Sequence, residues 1–543
     1  MSPGITFSSS SIESLSSAQD GANPLSFRSI LFDLAEIATD LDKQEAPEFF
    51  NDLNLDQIVE CITVGRDEYN LKPLFHIPLS NVETVNYRYD VLRDLENQTL
   101  LGCIRSFAEE MRKMRSHLAQ AKKLYYELQK QSWFLDVVEI YCGTVRQLTS
   151  DLLLIDLRSR GLLGFREYLT GYVKSGDFVS LLAETQKLKS DLSGIRYSLH
   201  IEGKRIKVLK YTSEADYSAD VLQTFDKFRQ GAPKEYRFDV PSRPDMNHVE
   251  AAILGLVAQL HSETFSSLDD YCSRHSGYLN STIATFDREV QFYLAYLEYV
   301  EQFKQAGLPF CYPVVTDQSK EVRGCDVFDL ALATRLVKAS TPVVTNNFYL
   351  KNPERVIVVS GPNQGGKTTF ARTFGQLHFL ASIGCPVPGR EAKLFLFDNL
   401  FTHFEREEDI RNLSGKIEDD LLRIHRIFER ATPNSILIMN ESFLSTTLND
   451  ALFLSKQIMQ QIIGLDMLCV SVTFLDELAS LSETSVSMVS GVDPRDPAVR
   501  TFKIVRKPAD GLAYAVAIAE KYCLTYGSVK NRIAGNAKGR VAP

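Results

Sequence analysis

The sequence predicts a multidomain protein: a mostly α-helical region followed by an α/β domain with a mainly parallel sheet. Three observations predict this. The chain has 543 residues, too many for one hydrophobic core at roughly 150 residues per domain. Up to about residue 300, apolar residues recur at steps of three and four, the spacing of a helix face. From about Val343 the pattern changes to short apolar runs, RVIVVSG, AKLFLF, SILIMNE and MLCVSVTF, each followed by helical sequence. Apolar runs alternating with helices imply parallel strands buried on both faces.

Composition excludes several classes. Hydrophobic residues make up 44% and charged residues 24% of the chain, as in an ordinary globular protein. No run approaches the roughly 18 apolar residues that a membrane helix needs, so no membrane association is expected. The formal net charge of −9 argues against a protein that coats DNA generically, while leaving room for a local basic surface. Nine cysteines stand singly, without a CxxC pair. An odd, scattered set points to reduced thiols in a cytoplasmic protein, not to a disulfide framework or zinc site. The opening residues have neither a basic nor an apolar signal region. Their serine-rich composition reads as a disordered tail over 1–26.

Residues 27–100 read as a helical segment leading into the core, where Val82, Val85, Tyr89 and Leu92 mark one helix face. Residues 101–335 read as a helical core and lever region. One heptad seam runs through Ile104, Phe107, Met111, Met114, Leu118, Ala121, Tyr125 and Leu128. A second runs through Ile283, Phe286, Val290, Tyr293, Leu297 and Val300. The seams fit two helices of one bundle, or a pair of lever arms between a distal tip and the C-terminal domain. Between them, near 195–211, Ile195, Tyr197, Leu199 and Ile201 alternate with polar residues, as do Ile206 and Val208 after Glu202-Gly203. This is a hairpin pattern. Lys204, Arg205, Lys207 and Lys210 make it basic, which suits either a solvated strand face or a tip that contacts nucleic-acid phosphates.

Residues 336–535 form the predicted α/β domain, and 536–543 a loose tail. Within the domain, VIVVSGPNQGGKTTF carries the pattern GxxxxGK[ST] between a predicted strand and a predicted helix. Glycines let successive backbone N–H groups curl round a phosphate without Cβ clashes. The helix N-terminus adds its positive dipole. Gly361, Pro362, Asn363, Gln364, Gly365, Gly366, Lys367, Thr368 and Thr369 are therefore candidate ATP-binding residues, with Lys367 reaching the β- and γ-phosphates and Thr368 ligating Mg²⁺. Downstream, SILIMNE ends where the second acid of such a site belongs. The residues there are Asn440, a candidate metal-orienting amide without charge, and Glu441, placed to polarise the attacking water.

These residues resemble one family. GPNQGGKTT is similar to the GPNMGGKST loop of MutS proteins, with Gln364 for Met and Thr368 for Ser. VVTNNFYL resembles a nucleotide-proximal segment of the family, with Asn346 at its asparagine. EEDIRNLSGKIEDD resembles the family signature, placing Ser414 at the signature serine. NESFLSTTLNDAL resembles DExGRGTSTxDGL, with Glu441 at the general-base position and Asp450 at the later aspartate. Resemblances of GCPVPGREAKLFLFDNLFTHF, VSVTFLDEL and DGLAYAVAIAEKYCL complete a series over 340–530, with a more diffuse likeness from about residue 30. The departures are Asn440 for the Walker B aspartate, Phe474 for the switch histidine, Lys416 for the signature phenylalanine and Val343 for the adenine-stacking aromatic. No segment ahead of the core resembles the family's mismatch-reading and connector domains.

The resemblance implies a P-loop ATPase that works as a homodimer, each site completed by the partner's Ser414, with ATP binding passed through levers to a DNA clamp. It implies Glu441, Lys367 and Ser414 as catalytic residues and ATP with Mg²⁺ as ligands. Hydrolysis is expected to be slow because of Asn440 and Phe474, and the expected DNA is structured or damaged rather than mismatched. The rival expectation is a nucleotide-gated dimer that binds ATP, barely hydrolyses it and recruits a protein effector.

Overall fold

A computed structural model of the chain describes residues 27–33, 45–213, 224, 246–405, 415–443, 445–493, 495, 499–509, 524–527, 529, 530 and 532. The expected tails, 1–26 and 536–543, and Ser414 lie outside these residues.

The N-terminal half is helical. α1 (Phe49–Asp52), α2 (Leu55–Thr63), α3 (Val82–Asp94), α4 (Gln98–Ala121), α5 (Glu127–Leu154), α6 (Arg160–Tyr172) and α7 (Gly176–Ser193) precede a hairpin of β1 (Tyr197–Glu202) and β2 (Arg205–Lys210). α8 (His248–Leu260), α9 (Ser262–Arg274) and α10 (Ser281–Gln305) follow. Side-chain caps start most of the longer helices. The Asn81, Asn97, Ser159, Ser175 and Asn280 side chains accept from backbone N–H groups of the first turn, and Asn247 with Glu250 forms a reciprocal capping box.

The first heptad seam does not continue as far as its spacing suggests. α4 ends at Ala121, Tyr125 lies 86% exposed in the connection, and Leu128 already belongs to α5. The chain reverses there, and α5 returns along α4 with Trp133 against His117 at 5.3 Å between rings. No glycine or proline marks the break; packing of the two helices against each other sets it. The second seam is real but understates its helix. α10 buries Phe292, Tyr296, Tyr299 and Phe303 besides most of the seam residues, so it is a central helix buried on more than one face. Phe286 stacks on Phe165 and Phe292 on Phe75 at 4.4 Å.

The segment 27–33 threads between α3 and α10. Ser29 Oγ and Ile30 N donate to the Glu289 carboxylate at 2.6 and 2.8 Å, and Tyr293 Oη donates to Ile30 O at 2.6 Å. The buried Arg88 donates Nε to Leu31 O at 2.9 Å and Nη1 to Ile383 O at 2.8 Å, joining this strap to the C-terminal half.

The C-terminal half contains β3 (Phe310–Cys311), β4 (Val314–Thr316), β5 (Val322–Val327), α11 (Leu330–Lys338), β6 (Asn346–Leu350), β7 (Val356–Ser360), α12 (Lys367–Ser382), β8 (Val387–Pro388), β9 (Glu391–Phe395), β10 (Leu400–Phe404), α13 (Lys416–Arg430), β11 (Ile436–Asn440), α14 (Leu448–Gly464), β12 (Leu468–Val472), β13 (Ser485–Val492) and β14 (Arg500–Arg506). Six strands form one sheet in the order β10-β11-β12-β7-β13-β14. All neighbours are parallel except β13 and β14, which pair antiparallel at the edge. Every residue of β7 and β12 is buried, as strands covered on both faces require.

One apolar run goes elsewhere. AKLFLF supplies β9, which joins β4, β5 and β6 in a separate mixed sheet of order β4-β9-β5-β6. The outer parallel strand is instead β10, whose polar Thr402 and His403 disguise it. Thr402 Oγ1 donates to Asp52 Oδ2 at 2.6 Å, and His403 Nδ1 pairs with Ser442 Oγ at 2.8 Å.

α12 lies between the six-stranded sheet and the helical half. Gly375 is where the two approach most closely: a Cβ there would meet Ile438 Cδ1 at 2.6 Å and Leu53 Cδ1 at 2.7 Å. No helix among the described residues is long and apolar enough to cross a membrane.

The strap carries a pH signature. Burial raises the Glu289 carboxyl from 4.5 to about 7, against the opposing pull of Ser29 and Ile30. The folded state thus holds a proton that the unfolded state releases near pH 4.5, so this contribution to stability is present below that value and is lost as pH rises toward about 7. In urea titrations Glu289→Gln should flatten the fall in stability between pH 5 and 7. An unchanged slope would remove Glu289 as its source.

Candidate active site

The site is built where the parallel strands end. β7 finishes at Ser360 and the loop 361–366 turns into α12. Gly361 and Gly366 take φ values of 115° and 90°, which only glycine adopts without strain, and Gln364 takes 60°. Gly365 lies against β13: a Cβ there would sit 2.9 Å from Pro362 O and 3.1 Å from Ser490 Cβ. The buried Ser490 Oγ donates to Gly365 O at 2.7 Å. β14 closes the other side, with Arg500 Nε donating to Asn363 O at 3.3 Å and Phe502 beside Gly366.

Lys367, first residue of α12, is buried with its ammonium in the loop. Nζ donates to Gly361 O at 3.0 Å, Pro362 O at 3.2 Å and Asn363 Oδ1 at 3.3 Å. Glu441 Oε1 is 3.8 Å away, and the Phe474 ring centroid 4.4 Å. Burial holds the lysine below its usual pKa; Glu441 opposes that shift and Arg500 adds to it. Thr368 Oγ1 donates to Asn440 Oδ1 at 2.8 Å, bridging α12 to the end of β11. Thr369 continues the helix, its carbonyl accepting from Thr373 Oγ1 at 2.8 Å. Glu441 takes φ of 54°, and its N–H donates to Val472 O at 2.9 Å. That bond pins the turn to β12 and aims the carboxylate at the lysine.

The structure thus brings 361–369, Asn440 and Glu441 to one point. Asn346 stands differently. Its Nδ2 donates to Phe502 O at 3.1 Å and its Oδ1 accepts from Ile504 N at 2.7 Å, so its amide staples β6 to β14. Asp450 lies in the first turn of α14, where the capping Thr447 accepts from Asp450 N at 3.3 Å and donates Oγ1 to the Asp450 carboxylate at 2.7 Å. Lys416 pairs with Glu405 at 2.6 Å.

The donors around the loop define the chemistry they suit. Loop N–H groups at a helix N-terminus and a lysine fit phosphate. A hydroxyl and an amide oxygen side by side fit a hydrated Mg²⁺ carried by a phosphate ligand, since Mg²⁺ keeps much of its water and needs few protein oxygens. Among the described residues no group of three or more His, Cys, Asp or Glu could hold a metal by itself.

The sequence of the site matches a known family: the profile described as MutS domain V covers residues 357–529. This part of the chain is similar to the MutS family. It is 28% identical over 161 residues to the DNA mismatch repair protein MutS of Petrotoga mobilis, which covers 29% of this chain and 19% of that protein. Likeness to the MutS of Thermotoga maritima is 23% over 245 residues, 44% of this chain and 29% of that one. Likeness to the DNA mismatch repair protein MSH3 of Candida glabrata is 24% over 310 residues, 54% of this chain and 28% of that one. The matched stretches therefore span less than a third of each of these relatives.

The chain also carries residues near the site that no local motif flags. His403 is fully buried on β10, its Nε2 lies 3.5 Å from Asp420 Oδ1 on α13, and its Nδ1 holds Ser442 beside Glu441. Burial raises the Asp420 carboxyl, with Arg423 opposing. Ser490, Arg500 and Phe502 reach the loop from strands far along the chain. Only Ser490 leaves a sequence signal, a polar residue inside an apolar strand pattern; Arg500 and Phe502 leave none.

The contact of Gly365 with Ser490 gives a test. Gly365→Ala should push the loop off β13 and lower nucleotide affinity about tenfold or more in calorimetry, with thermal stability little changed; unaltered affinity would show that the loop tolerates the shift.

Proposed function

We propose that this chain is a nucleotide hydrolase of the MutS type that binds ATP with Mg²⁺, turns it over slowly, and acts in DNA repair. The observation that supports this best is the convergence of Lys367, Thr368, Asn440 and Glu441 at the ends of adjacent parallel strands. The relatives' names as DNA mismatch repair proteins support the repair role.

In this reading the 361–369 loop wraps the phosphates, Lys367 neutralises the β- and γ-phosphates, and Glu441 orients the attacking water. Thr368 and Asn440 would hold Mg²⁺, which would supply positive charge to offset the charge that develops on the phosphates. Asn440 offers oxygen without charge, so metal affinity is lower than with a carboxylate. Ser414 completes the partner's site in a homodimer. The structured or damaged DNA ligand meets the basic hairpin, where Lys204, Arg205, Lys207 and Lys210 are exposed and Lys207 is paired with Glu202 at 3.1 Å.

The deciding experiment is an ATPase assay with and without branched, nicked and mismatched duplexes. Glu441→Gln should retain ATP and lose about 10²–10⁴-fold in turnover, and Asn440→Asp should lower the Mg²⁺ concentration for half-maximal activity. Wild-type turnover at background, indifferent to Glu441→Gln, would leave a nucleotide-gated dimer that recruits a protein effector as the better account.

For the DNA contact, reversing Lys204, Arg205 and Lys207 to Glu should weaken duplex binding and reduce its salt slope by about one unit per lost phosphate contact. Unchanged binding and slope would assign the hairpin to solvent.

A further inference from the structure

We infer that Phe474 makes this site select a nucleoside diphosphate over a triphosphate. The inference rests on the nucleotide-binding reading above and adds which phosphate state the site prefers.

The argument starts from how the Lys367 ammonium is surrounded. On one side it donates to Gly361 O, Pro362 O and Asn363 Oδ1. Its remaining surroundings are the Glu441 carboxylate at 3.8 Å and the Phe474 ring at 4.4 Å. An ammonium over a ring face is attracted by the ring quadrupole, and the attraction is stronger for a buried cation such as this one. In P-loop sites the lysine serves both β- and γ-phosphates. The β-phosphate belongs to the loop N–H groups. The γ-phosphate must therefore enter on the side of the lysine that Glu441 and Phe474 face.

The ring is held there by its backbone. Thr473 N donates to Val359 O at 3.1 Å, and Leu475 N donates to Thr473 Oγ1 at 3.0 Å. Phe474 thus leaves the end of β12 from a fixed point directly above the loop, and its position follows from the β7–β12 register. A terminal phosphate arriving at Lys367 must either displace the ring, giving up its contact with the cation, or set anionic oxygens against apolar carbon. Burying a charged oxygen without a donor is costly, and phenylalanine has no donor to offer. A diphosphate meets neither penalty, because its outer phosphate stays within the loop.

Phe474 is 43% exposed, so replacing it should leave the fold intact. Isothermal titration of the full chain with ADP, and with the β,γ-imido analogue of ATP, in Mg²⁺ reads the preference directly. Wild type should bind ADP about tenfold more tightly than the imido analogue. Phe474→His, which supplies an N–H donor, should raise affinity for the imido analogue about tenfold, the usual worth of a hydrogen bond to a charged group, and leave ADP within about twofold. Phe474→Ala should give a smaller gain for the analogue alone. Equal affinities in wild type, or substitutions that move both nucleotides together, would overturn the proposal while leaving the nucleotide site standing. Absence of binding by both nucleotides to wild type would overturn the nucleotide-site reading itself, and this proposal with it.

Discussion

The structure depends on one constraint, the near-complete enclosure of α12. The helix that follows the glycine-rich loop has its C-terminal end and both flanks buried, from Phe370 to Ser382. One flank meets the parallel sheet, and the other meets the helical half through Leu53 at Gly375. At its C-terminal end Ile383 O accepts from Arg88, which also holds the 27–33 strap. Packed interiors resist small displacements. Any shift of α12 would therefore be felt at α3, α10 and the strap, not absorbed locally.

That enclosure also explains the electrostatics of the loop. Lys367 is buried because α12 is buried, and burial disfavours its charge. The loop answers with carbonyl and amide oxygens, and Glu441 adds a carboxylate at 3.8 Å. With Asn440 uncharged, Glu441 balances the lysine, and under the proposed function it would also orient the attacking water. The two tasks compete: a carboxylate held toward a cation is less free to accept a proton.

The loop and the ends of β7 and β11 were legible because their chemistry is local. Nine consecutive residues fix the turn, the dipole and the lysine, and strand periodicity places Asn440 and Glu441. What closes the site was not legible. Ser490 lies 125 residues from Gly365 and Arg500 137 from Asn363, and no spacing rule links positions that only sheet order brings together. The same limit hid β10: its Thr402 and His403 break the apolar pattern, and their partners, Asp52 and Ser442, are distant in sequence. AKLFLF had the right apolar content for a buried strand, but content does not say which sheet a strand joins. Helical spacing carried on through Tyr125 and Leu128 after the helix had ended, because steps of three and four recur by chance in apolar sequence.

His403 shows how the two halves of the site chemistry meet. Its ring lies between Ser442, next to Glu441, and Asp420, one turn into the helix that follows the segment holding Ser414. It stacks on Phe443 at 5.9 Å, a residue held with φ of 64°. Glu441 and Phe443, on either side of Ser442, thus sit in left-handed backbone, a conformation retained only where the surroundings enforce it. The enforcement comes from β12 on one side, through the Glu441 N–H, and from His403 on the other. The direction of the Glu441 carboxylate is therefore fixed jointly by the register of the parallel sheet and by the seating of α13. A displacement of α13 would reach Glu441 through Asp420, His403 and Ser442, without passing through the phosphate loop.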